Sequence, residues 1–223
     1  MYCYILPSET TPKEDIEDAL EVIKRLELSE SHYEIIYIND ILESFERVLG
    51  ATTRVERGNI MARMRMIILH QRAYRHNGLV IGTGDKSELL LGYFTKYGDG
   101  GVDLLPIGRL YKTHVRQLAR YLGVPDRIVR IVRKPSSPRL WPGQTAEEEL
   151  GASYEVIDSI LYYRFEKWLP KEEIARRLKI SQELIERILT MVKRTQHKRM
   201  PPEVFHLGYR DLGSDWRYPR QWF

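Results

Sequence analysis

The sequence predicts an α/β protein built on a parallel sheet, and three observations carry that prediction. Short apolar runs, of strand length, alternate with segments whose apolar residues recur at helical spacing. A strand, helix, strand, helix order implies parallel strands joined by right-handed crossovers. Further along, the apolar run Leu79-Val80-Ile81-Gly82 feeds directly into Thr83-Gly84-Asp85-Lys86-Ser87-Glu88. That places a hydroxyl, a flexible glycine and charges at a strand's carboxyl end, where open α/β sheets collect their ligands. With 223 residues the chain can bury one sizeable core, so a single domain over 1–223 is expected. Its α/β core should run to about residue 150, a helical region over about 151–198, and a tail over 199–223.

Taken in order, Tyr2 to Leu6 reads as a buried strand. Thr11-Pro12-Lys13-Glu14 reads as a helix start, with Thr11 as cap, Pro12 in the first turn and Glu14 closing a capping box. Ile16, Ala19, Leu20, Ile23 and Leu26 then form one apolar face. Tyr33 to Ile38 is a second strand, and Asn39-Asp40 opens a short helix through Leu49. A loop over 50–57 leads to a helix over about 59–76, stopped by Asn77-Gly78. Met61, Met64 and Ile68 make an apolar stripe on it, with Ile67 beside them. Such a stripe is most often plain core, but Arg63 and Arg65 flank it, so a subunit interface is the competing reading.

After Leu79 to Gly82, the cluster Gly98-Asp99-Gly100-Gly101 forms a mobile loop carrying Lys96, Asp99 and Asp103. Its glycines would let backbone amides approach a ligand, while on their own they read equally well as a solvated turn. A helix follows over 112–122, closed by Gly123, and Pro125 starts another short one. Residues 134–143 form a rigid proline-rich loop that Leu140 and Trp141 anchor. Thr145-Ala146-Glu147-Glu148 is a further capping box, ahead of an apolar stripe of Tyr154, Ile157, Ile160, Leu161 and Trp168. Residues 170–195 look like a helix-turn-helix, with Ser181 capping the second helix. DNA binding and a plain domain-closing hairpin both fit that pattern.

Composition narrows the function class. No stretch approaches the roughly 18 apolar residues of a membrane span, and the start lacks a signal peptide's basic, elongated pattern. A single cysteine, Cys3, fits a reducing cytosol. The net charge of +4 suits anionic small molecules without requiring nucleic acid. There is no Cys/His cluster with metal-ligand spacing, so no structural zinc site is expected.

The run from Thr83 to Asp103, together with Gly58 to Met66, Lys112, Ser137 and His197-Lys198, resembles the NAD synthetase family in its short, ammonia-dependent, archaeal-like form. The resemblance extends from about Leu6-Pro7-Ser8 to Lys198. It implies an adenine nucleotide alpha hydrolase-like, Rossmann-like fold and a cytoplasmic homodimer through the 59–76 helix, with no membrane or nucleic-acid partner. It implies ATP contacts at Thr83, Lys112 and Ser137, and deamido-NAD contacts at Arg63, Lys96, Asp103, His197 and Lys198. Glu88 would be the Mg²⁺ ligand. The implied reaction joins deamido-NAD, ATP and ammonia to give NAD, AMP and pyrophosphate. Without that resemblance, Glu88 reads as a helix-face carboxylate, Lys112 as a surface lysine near a helix start, and His197-Lys198 as a favourable pairing with a helix end.

One family element is not found. The Ser-Gly-Gly-x-Asp-Ser loop that grips the ATP pyrophosphate is nowhere in the sequence. The resemblance aligns the first residues with the family's second strand, so an N-terminally incomplete domain is expected. A misassigned start codon, a fragment and a degenerate, non-catalytic nucleotide-binding dimer are the three explanations. Tyr2 to Leu6 should then lack one sheet neighbour and expose an apolar edge.

Overall fold

The computed structural model describes residues 1–50, 53–124, 137, 140, 141, 143–200 and 202. Strands β1 (Cys3–Ile5) and β2 (Tyr33–Ile35) pair in parallel, with Cys3 opposite Tyr33 and Ile5 opposite Ile35. Helix α1 (Lys13–Arg25) makes the crossover between them. Its predicted capping box does not form. Pro12 is the N-cap and makes no side-chain cap bond, while the Thr11 hydroxyl accepts from Ser8 N at 3.0 Å. The strand expected at 79–82 shrinks to a single parallel bridge between Ile81 and Leu104, supported by Gly82 N donating to Leu104 O at 2.8 Å. Among the described residues the sheet therefore consists of two separate parallel pieces.

Helix α2 (Asn39–Leu49) follows β2 as predicted. Helix α3 (Arg54–Arg75) starts earlier than the periodicity indicated. Thr53 and Glu56 form a reciprocal capping box that satisfies two of the helix's first N–H groups. Met61 and Met64 are buried against Ile38 and Leu42, so the methionine stripe belongs to the chain's own core. Ile67, beside them, is 56% exposed.

The larger core lies in the second half. Helices α4 (Lys86–Leu91), α5 (Lys112–Tyr121) and α6 (Ala146–Leu150) meet α7 (Tyr154–Phe165) there. Tyr154, Ile157, Ile160 and Leu161 are completely buried in it. Trp168, expected on the same stripe, falls beyond the helix in a left-handed backbone conformation and is 76% exposed. Helices α8 (Lys171–Leu178) and α9 (Gln182–Arg194) form the predicted hairpin, with the Ser181 hydroxyl accepting from Leu184 N at 3.2 Å. Ile174, Ile185 and Ile188 are fully buried against α7, so the hairpin is part of the main core. The helix predicted from Pro125 and most of the 134–143 loop lie outside the described residues. The last described helix is α10 (Gln196–Arg199). Among the described residues no helix is long and apolar enough to cross a membrane.

Candidate active site

Helix α4 is the pivot of the site, and both of its ends are satisfied by side chains. At the start, Asp85 Oδ1 accepts from Glu88 N at 3.0 Å and Glu88 Oε2 accepts from Asp85 N at 3.1 Å, a reciprocal capping box. At the far end, four carbonyls have no partner inside so short a helix. Tyr93 N donates to Glu88 O at 2.9 Å. Arg199 donates to Leu89 O at 3.1 Å and to Leu90 O at 2.7 Å. The Thr195 hydroxyl donates to Leu91 O at 3.1 Å. Gly92 turns the chain in the left-handed region, and a Cβ there would lie 2.2 Å from Thr195 Cβ. The C-terminal residues 195–199 thus clasp the segment that carries Glu88.

The expected site residues fall into two clusters. The first is Glu88 with Lys112, which begins α5. Lys112 Nζ lies 2.6 Å from Glu88 Oε1 and 2.6 Å from Asp85 Oδ2. Asp85 is completely buried. Burial and the Asp85 charge push the Glu88 carboxyl above the usual carboxylate range, against the pull of Lys112. Burial opposes the charge on Lys112, but Glu88 and Asp85 outweigh it and raise its ammonium above the ordinary lysine value. Behind the pair, Asp158 is buried on α7. It accepts from Ser87 Oγ at 2.5 Å and from Thr113 N at 2.9 Å, tying the starts of α4 and α5 together.

The second cluster is cationic and joins the loop to the C-terminal helix. Lys96 Nζ donates to His197 O at 2.8 Å. Arg63 Nε donates to Lys96 O at 3.4 Å. Lys198 Nζ donates to Gly92 O at 2.7 Å and Phe94 O at 2.6 Å, and burial lowers its pKa below that of an ordinary lysine. Residues 101 positions apart in the sequence therefore meet here.

Thr83 and Lys198 share the wall of a cavity of about 470 Å³ with Asn59, Arg65, Asp99 and Glu149. That volume is in the range of small-molecule sites. A wider groove of about 600 Å³ between α5 and α7 holds none of the expected residues, and Arg116 in it is already paired with Glu147 and Glu155. Asp103 stands apart from the cationic cluster: its Oδ2 accepts from Val80 N at 2.8 Å, closing the short sheet piece. Ser137 is half-buried, and its neighbours in the chain lie outside the described residues.

The glycine loop is bonded internally and packed against α3. Asp99 Oδ1 accepts from Thr95 N at 2.8 Å, and Gly98 N donates to Thr95 O at 2.9 Å. A Cβ on Gly98 would lie 2.9 Å from the Cβ of Ala62 on α3. Close packing against that helix accounts for the glycine at this position.

Sequence reasoning gave no role to Asp85, Asp158 or Arg199. The first has a local signal, since Asp85-Lys86-Ser87-Glu88 has capping-box spacing. The second is an acid at helical spacing from Tyr154 and Leu161, on the stripe that packs the core. Arg199 has none, because its partners are backbone carbonyls far away in the chain.

The comparisons with known proteins agree over nearly the whole chain. The family model described as NAD synthase matches residues 1–202. An NH(3)-dependent NAD(+) synthetase of Sulfolobus acidocaldarius is 55% identical over 218 residues, covering 98% of this chain and 77% of that protein. The one from Sulfurisphaera tokodaii is 54% identical over 221 residues, covering 99% of this chain and 78% of its own. Among solved structures, an NMN synthetase from Francisella tularensis superposes with a TM-score of 0.76 at 36% identity, over 90% of this chain and 76% of that one. The NH3-dependent NAD synthetase from Campylobacter jejuni, in complex with the nitrate ion, gives 0.73 at 31% identity, over 92% and 77%. The fold is accordingly the parallel-sheet, adenine nucleotide alpha hydrolase-like one.

Proposed function

Since this chain belongs to the NAD synthase family, we propose that it amidates deamido-NAD with ammonia, driven by ATP, to give NAD, AMP and pyrophosphate. The observation that carries this reading is 55% identity to an NH(3)-dependent NAD(+) synthetase across 98% of the chain. The two charged clusters fit the chemistry. A carboxylate resists attack by ammonia because its charge repels the nucleophile and oxide is a poor leaving group. Transfer of AMP to the nicotinate carboxylate replaces that oxide with a competent leaving group. Both steps require neutralised phosphate charge and alignment more than an acid–base pair.

In this reading Lys112 neutralises ATP phosphate charge as a point cation. Thr83 and Ser137 offer hydroxyls to ATP. Arg63, Lys96, His197 and Lys198, gathered around the loop, and Asp103 contact deamido-NAD. Mg²⁺ takes one or two carboxylates together with waters and substrate phosphates. Glu88 suits that role, because Oε2 is pinned by the capping box while Oε1, among the described residues, meets the Lys112 ammonium. When bound, Mg²⁺ supplies charge neutralisation to the ATP phosphates. The assay is NAD formation by the purified chain with Mg-ATP, deamido-NAD and ammonium. Glu88→Ala should lower turnover by about 100-fold or more, the scale of losing one transition-state electrostatic partner. A chain that forms no NAD, either alone or with a Ser-Gly-Gly-x-Asp-Ser segment restored at its N-terminus, would refute synthesis and favour the nucleotide-binding dimer. Nicotinate mononucleotide, as a parallel substrate, separates NAD from NMN synthesis.

We further propose a cytoplasmic homodimer. Met61 and Met64 of α3 are buried within the chain, so the interface reading moves to the apolar residues left exposed on α2 and α3. Ile41, Phe45 and Val48 recur at helical spacing on α2, and Val55 and Ile67 lie on α3. Val48 is 83% exposed. Val48→Glu should convert the dimer to a monomer in light scattering; an unchanged mass would exclude α2 from the interface.

A further inference from the structure

Lys112 is held by two carboxylates, and only one of them has a place in the proposed reaction. Glu88 Oε1 is the oxygen a divalent cation would have to claim, because Oε2 already accepts from Asp85 N. Lys112 Nζ sits on that same Oε1, at 2.6 Å. An ammonium and a divalent cation repel strongly at such separations, so one of them must leave. The Lys112 side chain is only 15% exposed. Left without any counter-ion, such a buried cation would be costly to keep.

Asp85 removes that difficulty. Its Oδ1 is spent on the helix cap. Its Oδ2 is buried, and among the described residues its partner is the Lys112 ammonium at 2.6 Å. We propose that Asp85 is a positioning residue that retains Lys112, charged and aimed, when a divalent cation displaces it from Glu88. The cluster carries two negative charges and one positive, so a cation enters a site one charge short. Phosphate arriving with that cation then finds Lys112 still in place. This inference rests on the reading of Glu88 as the Mg²⁺ ligand.

The test is a double-mutant cycle read by direct metal binding. Mn²⁺ alone, as the probe, is titrated by electron paramagnetic resonance into the full chain as wild type, Asp85→Asn, Lys112→Met and the double variant. Asparagine also caps helices, which preserves the start of α4; Asp85→Ser, another capping residue, repeats the measurement if the thermal midpoint of Asp85→Asn collapses. The expected result is a loss of Mn²⁺ affinity of about tenfold or more from Asp85→Asn when Lys112 is present. In the Lys112→Met background the loss should be clearly smaller, because only the direct attraction of the Asp85 charge is then lost and the part that runs through the lysine is gone. Equal losses in both backgrounds would overturn the proposal and make Asp85 a direct ligand or simple background charge. No loss in either would overturn it as well. Wild-type affinity in Glu88→Gln would remove the metal reading itself, and is distinguishable because it does not involve Asp85.

Discussion

Arg199→Ala tests the clasp that closes α4, and its cost can be worked out from the contacts. The guanidinium donates to Leu89 O at 3.1 Å, Leu90 O at 2.7 Å, Val192 O at 2.6 Å and the Thr195 hydroxyl at 3.1 Å. A hydrogen bond from a charged donor contributes about 1.5–3 kcal/mol when buried. Arg199 is only half-buried, so water can reach the carbonyls it leaves behind, and the four contacts do not add. A net loss of about 2–3 kcal/mol is the reasonable expectation. In a chain of this length that lowers the thermal midpoint by about 4–12 °C. Urea denaturation and a thermal melt followed by circular dichroism measure it directly. Arg199→Lys keeps the charge but not the planar fork, so it should restore less than half of the loss. A loss below about 0.5 kcal/mol, the level of an ordinary surface change, would refute the clasp.

Two further predictions concern the same region. Gly92→Ala places a Cβ 2.2 Å from Thr195 Cβ, at a φ of +65°. The left-handed strain alone costs about 1 kcal/mol or more, and the clash should take the midpoint down further than Arg199→Ala does; a midpoint within a degree or two of wild type would show that Thr195 is free to move. The other concerns pH. Burial holds the Asp158 carboxyl above its ordinary value of 3.8. The folded chain therefore keeps this proton to higher pH than the unfolded chain, and Asp158 makes stability fall as pH rises from that ordinary value through the raised one. Asp158→Asn removes this slope, so the destabilisation it causes in urea titrations should be larger at mildly acidic pH than at neutral pH. A gap that widens toward neutral pH would mean that the carboxylate's bonds to Ser87 and Thr113 outweigh its burial.

What the sequence determined by itself is local. β1, α2, α5 and the hairpin of α8 and α9 follow from apolar periodicity and from the residues that cap or stop each element, because those signals act over a few neighbouring positions. The spacing from Thr83 to Asp103 marked the family for the same reason. Helix α3 was misjudged at its start because the Thr53–Glu56 box lies before its apolar stripe begins. The 79–82 run lost its strand because a strand exists only through partners, and Ile81 has just one bridge among the described residues. Packing decided what periodicity left open: the Met61–Met64 stripe faces Ile38 and Leu42 inside the chain. The site's charge pattern was also a tertiary matter. Lys112 became the counter-ion of Glu88 and Asp85 because α5 begins beside the start of α4, and Arg199 reached the end of α4 because the buried hairpin carries the chain back. Such contacts depend on where folded elements meet in space, and electrostatics at that range has no counterpart in the order of residues along a chain.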